Sequence, residues 1–369
     1  MPKLKNKNLD NYYSKLSNKL SEINQFITYP NPCVGAVIVS DKHVSVAYTG
    51  KHGIPHAEYK LLKKKTNFLN GKLFTSLEPC SHKGKNPPCT NIIIKKKIKK
   101  IITNSKDEDQ RVKGQTKKIL KKNNVKIIYK NNPSRSSIIH NYSKKNKLPY
   151  VIGKIAISKD GYSKHKNKRL FTSKLALKYA HLLRYQSDSI LIGRKTLNDD
   201  NPKLNSRING LEKKLAKFII NPKLNISPKI LTNRFLRGSY IIHCNKNLKI
   251  NNSYKKKFKL IYFDFSRPNV SLRILQLINQ MGYNKLLIEG GLSTLKSFIY
   301  SNLLNELKII KSNTKFGNKG QIPIGKIANT KKMKLDATIS LEDDIILNYK
   351  SSNVYRYNWE HIKVSQNWT

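Results

Sequence analysis

The stretch LEPCSHKGKNPPC, residues 77–89, puts two cysteines, three prolines and a histidine into thirteen positions of a lysine-heavy chain. Cys80 and Cys89 could be a disulfide, two unrelated thiols or half of a metal site. With four cysteines (Cys33, Cys80, Cys89, Cys244) in a chain of 369 residues, a disulfide framework is the weakest reading. A close cysteine pair in a long chain without a secretory segment more often binds metal or does chemistry.

Upstream lies PHAE, residues 55–58, at an expected helix start. His56-x-Glu58, then Pro79-Cys80, then Cys89 matches the zinc deaminase signature of one histidine, two cysteines and a glutamate that does not ligate. The chemistry explains these residue types. A neutral imidazole and two thiolates hold Zn2+ with a fourth position left for water, whose pKa the metal lowers. Glu58, in the first helical turn, reaches that position and moves protons. The usual cysteine spacing in the signature is Cys-x-x-Cys, whereas eight residues intervene here. The rival reading makes His56 a helix cap and the cysteines buried small hydrophobes.

Composition sets the frame around this motif. An apolar fraction of 38% over 369 residues supports two ordinary cores. Lys+Arg 73 against Asp+Glu 21 gives +52, which raises the question of nucleic acid. Lysine is spread along the whole length together with Asn and Ile, a pattern that A/T-rich codons explain, whereas a functional basic patch is localised. No specific nucleic-acid partner is therefore expected. The opening MPKLKNKNLDNYY has charge without a continuous apolar segment, and no run reaches the roughly 18 apolar residues of a membrane helix. A soluble, cytoplasmic protein with no membrane partner is the expectation.

Periodicity predicts an amphipathic helix over 9–26, a buried strand at VGAVIV (34–39), a helix after Pro55, a strand at KLFTSLE (72–78), a helix over TNIIIKKKIKK, a strand at KKIIT, and a helix and strand ending in VKIIY (125–129). Residues 130–148 are polar with two prolines and read as a linker. Beyond it come strands at 150–158, 189–193, 218–220, 239–243, 259–263 and 285–289. Helices are expected around 173–186 and 271–281 and after Gly291. Strands alternating with helices in both halves indicate an α/β fold.

YPNPCVGAVIV, GIPHAE and LEPCSHKGKNPPCTNIII together resemble the deaminase domain of the bifunctional riboflavin-biosynthesis deaminase/reductase family, with motifs PNPxVG, PHAE and EPCSHxGxTPPC. GKIAISKDG (153–161), TLNDDNPKLNSR (196–207) and LLIEGGLSTL (286–295) resemble its reductase domain. The resemblance implies a cytidine-deaminase-like α/β/α sandwich over 1–145 and a dihydrofolate-reductase-like α/β domain over 146–369. It implies zinc-dependent deamination of a diaminopyrimidinone ribosylamine 5'-phosphate, then NADPH-dependent reduction of the ribosyl group to ribityl. A homo-oligomer through the reductase domain is implied as well.

Carried over by motif, Asn31 would bond the pyrimidine, and Lys85 would meet the substrate phosphate unless it is one more solvated lysine. Lys154, Arg184, Leu204, Arg207 and Glu289 would line the second substrate pocket. Ala156, Thr196, Asp200 and the turn Gly291, Leu292, Ser293, Thr294 would face NADPH. Gly290-Gly291 between a strand and a helix leaves backbone N–H groups free for an anion, although a tight turn alone also needs small residues. Arginine is scarce here, which adds weight to Arg184 and Arg207.

Two departures stand out. Thr49 occupies the position of a histidine common in the family, and Leu170-Phe171-Thr172-Ser173 replaces its Trp-Ile-Thr-Ser run. His52 and His82 are open between surface and site, Cys33 reads as core, and Trp359 as closing the core. The rivals to this reading are a deaminase of nucleosides or nucleic acid, and a zinc-stabilised binding module without catalysis.

Overall fold

The computed structural model describes residues 6–41, 43–64, 66–84, 86–167, 170–208, 210, 213–245, 252–323 and 332–352. Its contacts divide between Leu148 and Pro149 into two compact units.

The first unit runs α1 (Asn6–Ile23), β1 (Gly35–Val39), β2 (Val44–Tyr48), α2 (Ala57–Leu62), β3 (Lys72–Thr75), α3 (Cys89–Lys95), β4 (Lys100–Thr103), α4 (Gln115–Lys122), β5 (Lys126–Tyr129) and α5 (Arg135–Asn146). Its sheet has the order β2-β1-β3-β4-β5, antiparallel at β2, β1 and β3 and parallel from β3 onward. Alternation along the strands feeds two cores, because successive side chains point to opposite faces. Ala36, Ile38, Leu73 and Ile101 pack with Leu61 of α2, Ile93 of α3 and Leu120 of α4. Val37, Phe74 and Ile102 pack with Leu16 and Leu20 of α1. The result is an α/β/α sandwich. Gly35 permits the close approach of α1, since a Cβ there would lie 2.0 Å from Ser17 O.

The expected linker over 130–148 is a correction. Most of it is α5, capped by Ser134, whose hydroxyl accepts from Ser137 N. The buried face of α5 is Ser136, Ser137, Ile138, His140, Asn141 and Ser143, so the helix docks through hydrogen bonds and shows no apolar stripe. Ser136 Oγ accepts from Cys33 N at 3.0 Å and Ser137 Oγ donates to Ser76 O at 3.0 Å. Asn141 Nδ2 donates to Lys106 O at 2.8 Å, and His140 Nε2 pairs with Asp107 Oδ1 at 3.0 Å.

The second unit runs β6 (Tyr150–Ile157), β7 (Tyr162–His165), α6 (Lys174–Tyr185), β8 (Ser189–Gly193), α7 (Arg194–Asp200), β9 (Ala216–Ile220), α8 (Pro228–Leu231), β10 (Tyr240–His243), α9 (Asn252–Lys257), β11 (Lys259–Tyr262), α10 (Val270–Gln280), β12 (Lys285–Glu289), α11 (Leu292–Tyr300), β13 (Glu306–Lys311), β14 (Gly320–Pro323), β15 (Met333–Leu341) and β16 (Asp344–Ser351). Nine strands take the order β11-β10-β9-β8-β12-β6-β13-β16-β15, parallel from β11 to β13, with β16 and β15 antiparallel. Helices lie on both faces. Ala176 and Tyr179 of α6 pack on Ala156, Ile310 and Ile346, while Leu295 of α11 comes close over Gly153. Among the described residues no helix is long and apolar enough to cross a membrane.

Candidate functional site

In the first unit the metal set is assembled at the ends of two helices and one strand. His56 immediately precedes α2 and its side chain makes no capping bond, which removes the rival role as a helix cap. Pro79 and Cys80 follow β3, and Cys89 is the first residue of α3. The loop before Cys80 is fixed at several points. Glu78 N donates to Ser105 O at 2.9 Å, Tyr129 OH donates to Glu78 Oε1 at 2.7 Å, and Thr116 Oγ1 donates to Pro79 O at 2.8 Å.

His56 Nδ1 lies 3.5 Å from Cys80 Sγ and 3.4 Å from Cys89 Sγ. The three donor atoms all fall within 4.8 Å of one another. Zinc–nitrogen and zinc–sulfur bonds at tetrahedral angles put N and S roughly 3.6 Å apart, so the set fits zinc. Charge agrees with geometry. Cys80 is drawn down to about 4, first by its hydrogen bond with Cys89, while Cys89 is pushed well above its ordinary range by the same neighbour and by burial. Two thiolates side by side need a cation between them. Cys89 N also donates to Cys80 Sγ at 3.3 Å, an N–H at a helix start directed at a thiolate.

Glu58 is 3% exposed, and its Oε2 has no hydrogen-bond partner. Burial pushes its carboxyl up to about 7 against the opposing attraction of His56. An unpaired buried carboxylate oxygen beside one imidazole and two sulfur donors calls for a ligand to complete it.

Asn31 Nδ2 donates to Gly53 O at 3.2 Å, which ties the Pro-Asn-Pro turn to the segment before His56. Thr49 is taken up by the fold: its hydroxyl accepts from Val34 N at 2.9 Å. Cys33 is 1% exposed with its thiol raised to about 12 by burial, as expected of a core residue. Lys85 and Trp359 lie outside the described residues.

In the second unit, Lys154 and Glu289 are register partners on β6 and β12. Arg184 of α6 reaches them with a two-pronged pair, Nε to Glu289 Oε1 at 2.9 Å and Nη2 to Oε2 at 2.6 Å. Its guanidinium is thus held by Glu289 rather than left open to a ligand. Arg207 is exposed and free of carboxylate partners among the described residues. Burial lowers Lys154 while Glu289 opposes the shift, and Arg184 and Lys154 together hold Glu289 below its ordinary value despite its burial. Leu204 is 2% exposed and adopts φ +49°, a left-handed backbone for a branched residue.

A cavity of about 180 Å³ is lined by Gly193, Arg194, Lys195, Thr196, Ile220, Gly291, Ser293 and Thr294. It brings Thr196, Gly291, Ser293 and Thr294 together. Asp200 and Leu292 are not among its lining residues, and Ala156 packs beneath α6. The glycine turn is required here. Gly290 and Gly291 have φ of +108° and +60°, and a Cβ on Gly290 would sit 2.8 Å from Thr196 Cγ2. A backbone cradle beside two cations suits a phosphorylated cofactor. Sequence reasoning missed Arg194 and Lys195, although the scarcity of arginine used for Arg184 and Arg207 applies equally to Arg194. The Trp-to-Leu departure leaves Leu170 66% exposed, while Phe171 stacks edge-on against Phe316 at 4.9 Å.

Comparison with known proteins gives these geometries a lineage. The family model described as cytidine and deoxycytidylate deaminase zinc-binding region matches residues 7–105, and the model described as RibD C-terminal domain matches residues 149–347. The chain is 28% identical to riboflavin biosynthesis protein RibD of Aquifex aeolicus over 93% of its own length and 98% of that protein. It is 29% identical to the protein of that name from Buchnera aphidicola over 84% of this chain and 88% of that one. Among solved structures, Acinetobacter baumannii RibD superposes with a TM-score of 0.83 at 23% identity, covering 94% of this chain and 99% of the other. A deaminase/reductase from Thermotoga maritima gives 0.79 at 21% identity over 93% and 99%. These likenesses bear out the expected fold class, and with two family models matched in order along one chain, the chain belongs to the RibD family of bifunctional riboflavin-biosynthesis deaminase/reductases.

Proposed function

We propose that His56, Cys80 and Cys89 hold the zinc of a pyrimidine deaminase and that Glu58 is its proton shuttle, while the second unit reduces the deaminated product with NADPH. The substrate is a phosphorylated diaminopyrimidinone ribosylamine, and the ribosyl group is reduced to ribityl. One observation carries the first assignment: a histidine nitrogen and two cysteine sulfurs converge within 4.8 Å beside a buried carboxylate oxygen that has no partner.

Bound there, zinc supplies the Lewis acidity that makes water nucleophilic near neutral pH. Glu58 would take one proton from the attacking water and pass it to the ring nitrogen, then carry the second proton, from the added hydroxyl, to the amine as its bond to the ring carbon breaks and it leaves as ammonia. Asn31 orients the pyrimidine from the adjoining turn, and Lys85 is the proposed contact to the phosphate.

In the second unit NADPH supplies the hydride. Gly291, Ser293, Thr294 and Thr196 hold its phosphates at the cavity, with Ala156, Asp200 and Leu292 proposed around them. Lys154, Leu204 and Glu289 shape the substrate pocket. Arg184 locks Glu289 in place, and Arg207 is the cation that meets the substrate phosphate. The same reading carries a cytoplasmic enzyme assembling as a homo-oligomer through its reductase unit.

The test is to supply the diaminopyrimidinone phosphate without NADPH and follow ammonia. The reading expects release that stops after zinc is stripped by a chelator and returns on adding zinc. Release that survives complete removal of metal would sink the zinc assignment.

A further inference from the structure

Arg207 sits on a segment that the chain does not hold by regular secondary structure. Its entry, Leu204, keeps a left-handed backbone that costs on the order of 1–3 kcal/mol unless its surroundings over-determine it. The three residues that follow it are tied to α6 and to one another. Ser206 Oγ donates to His181 O at 3.1 Å, and Arg184 Nη1 donates to Asn205 O at 3.2 Å. The imidazole of His181, 4% exposed, lies with Nδ1 at 3.3 Å from Arg207 N and 3.2 Å from Asn205 O. Arg207 Nη1 in turn donates to Asn205 Oδ1 at 3.3 Å.

One ring nitrogen cannot accept from Arg207 N–H and donate to Asn205 O at once. Asn205 O already accepts from Arg184, whereas the imidazole is the acceptor found for Arg207 N–H among the described residues. The arrangement that leaves neither group unpaired has the proton on Nε2 and a bare, accepting Nδ1.

We propose that His181 is a positioning residue of the reductase: its bare Nδ1 fixes the backbone of Arg207 and thereby aims the guanidinium at the anionic group of the substrate. Burial, reinforced by Arg184 and Arg207, holds the imidazole down to about 4, so the acceptor is available at ordinary pH. The proposal rests on Arg207 as the phosphate ligand, and the test separates the two.

Asparagine places an acceptor where Nδ1 stands, while glutamine places its amide at the position of Nε2. The full chain, without NADPH, is titrated calorimetrically with the ribityl phosphate product. Arg207→Ala is expected to weaken binding by about tenfold or more. His181→Asn is expected to stay within about threefold of the parent and His181→Gln to lose about tenfold. Equal affinities for the two His181 variants, whether high or low, overturn the positioning role. Parent-like binding by Arg207→Ala overturns the phosphate assignment beneath it. A void filled by any polar side chain would not distinguish Asn from Gln.

Discussion

A buried carboxylate with an oxygen facing no donor is costly by about 1–3 kcal/mol or more, and Glu58 bears that cost at the one place, among the described residues, where three metal donors meet. Glu58→Gln keeps the shape and removes the base, so deamination should fall by about 10²–10⁴-fold while zinc content measured by atomic emission stays at the parent's level. Cys89→Ser should instead lose the metal. Asp188 gives a prediction of a different kind. Burial raises it from 3.8 to about 6 against the attraction of Lys213, itself lowered to about 8. Between pH 3.8 and about 6 the unfolded chain has released the Asp188 proton and the folded chain has not, so the stability that the protonated acid contributes is lost as pH rises through that window. The move corresponds to roughly 3 kcal/mol. Asp188→Asn does not titrate, and its stability relative to the parent should therefore rise between pH 4 and pH 7 by up to about that amount in urea unfolding. His56, Glu58, Cys80 and Cys89 were legible in the sequence because their chemistry is written in short motifs. The pairing of Arg184 with Glu289 was not, since it joins residues 105 apart through the return of β12 beside β6.

Apolar periodicity found the elements whose burial is apolar and failed where burial is polar. β1, β3 and β4 were readable from Val, Ile and Leu on both faces. α5 was read as linker because its inward residues, Ile138 apart, are serines, a histidine and an asparagine, which bond the backbone at Cys33, Ser76 and Lys106 and the Asp107 side chain. β15 and β16 were passed over for no such reason: Met333–Leu341 alternates apolar and polar residues, the period-two signal of a half-exposed strand, and β16 carries Ile345, Ile346 and Leu347. The polar docking of α5 predicts that His140→Ala, which strips Asp107 of its buried partner, costs about 1–3 kcal/mol by chemical denaturation of the full chain. Close helix approach predicts an effect of at least that size at Gly35. A Cβ there meets Ser17 O, so Gly35→Ala should destabilise by about 1–3 kcal/mol or prevent folding, read as a lowered urea midpoint.

Across the whole molecule each compact unit carries its own core and its own chemistry. In the first unit a sandwich presents His56 and Cys89 at two helix starts, close to Cys80 after a strand. In the second, parallel strands set Lys154, midway along β6, beside Glu289 at the end of β12, where the glycine turn follows. Sequence motifs gave the division of labour, while the gathering of Arg194 and Lys195 at the cavity with the glycine turn emerged from the fold. The central claim is that one chain performs deamination and reduction at separate sites in that order. It is tested most directly by giving Glu58→Gln protein, with NADPH, first the diaminopyrimidinone phosphate and then its deaminated product, while NADPH absorbance is followed. The account predicts almost no oxidation with the first compound and a parent-like rate with the second. Parent-like oxidation with the first compound, or failure with both in a folded protein, would contradict it.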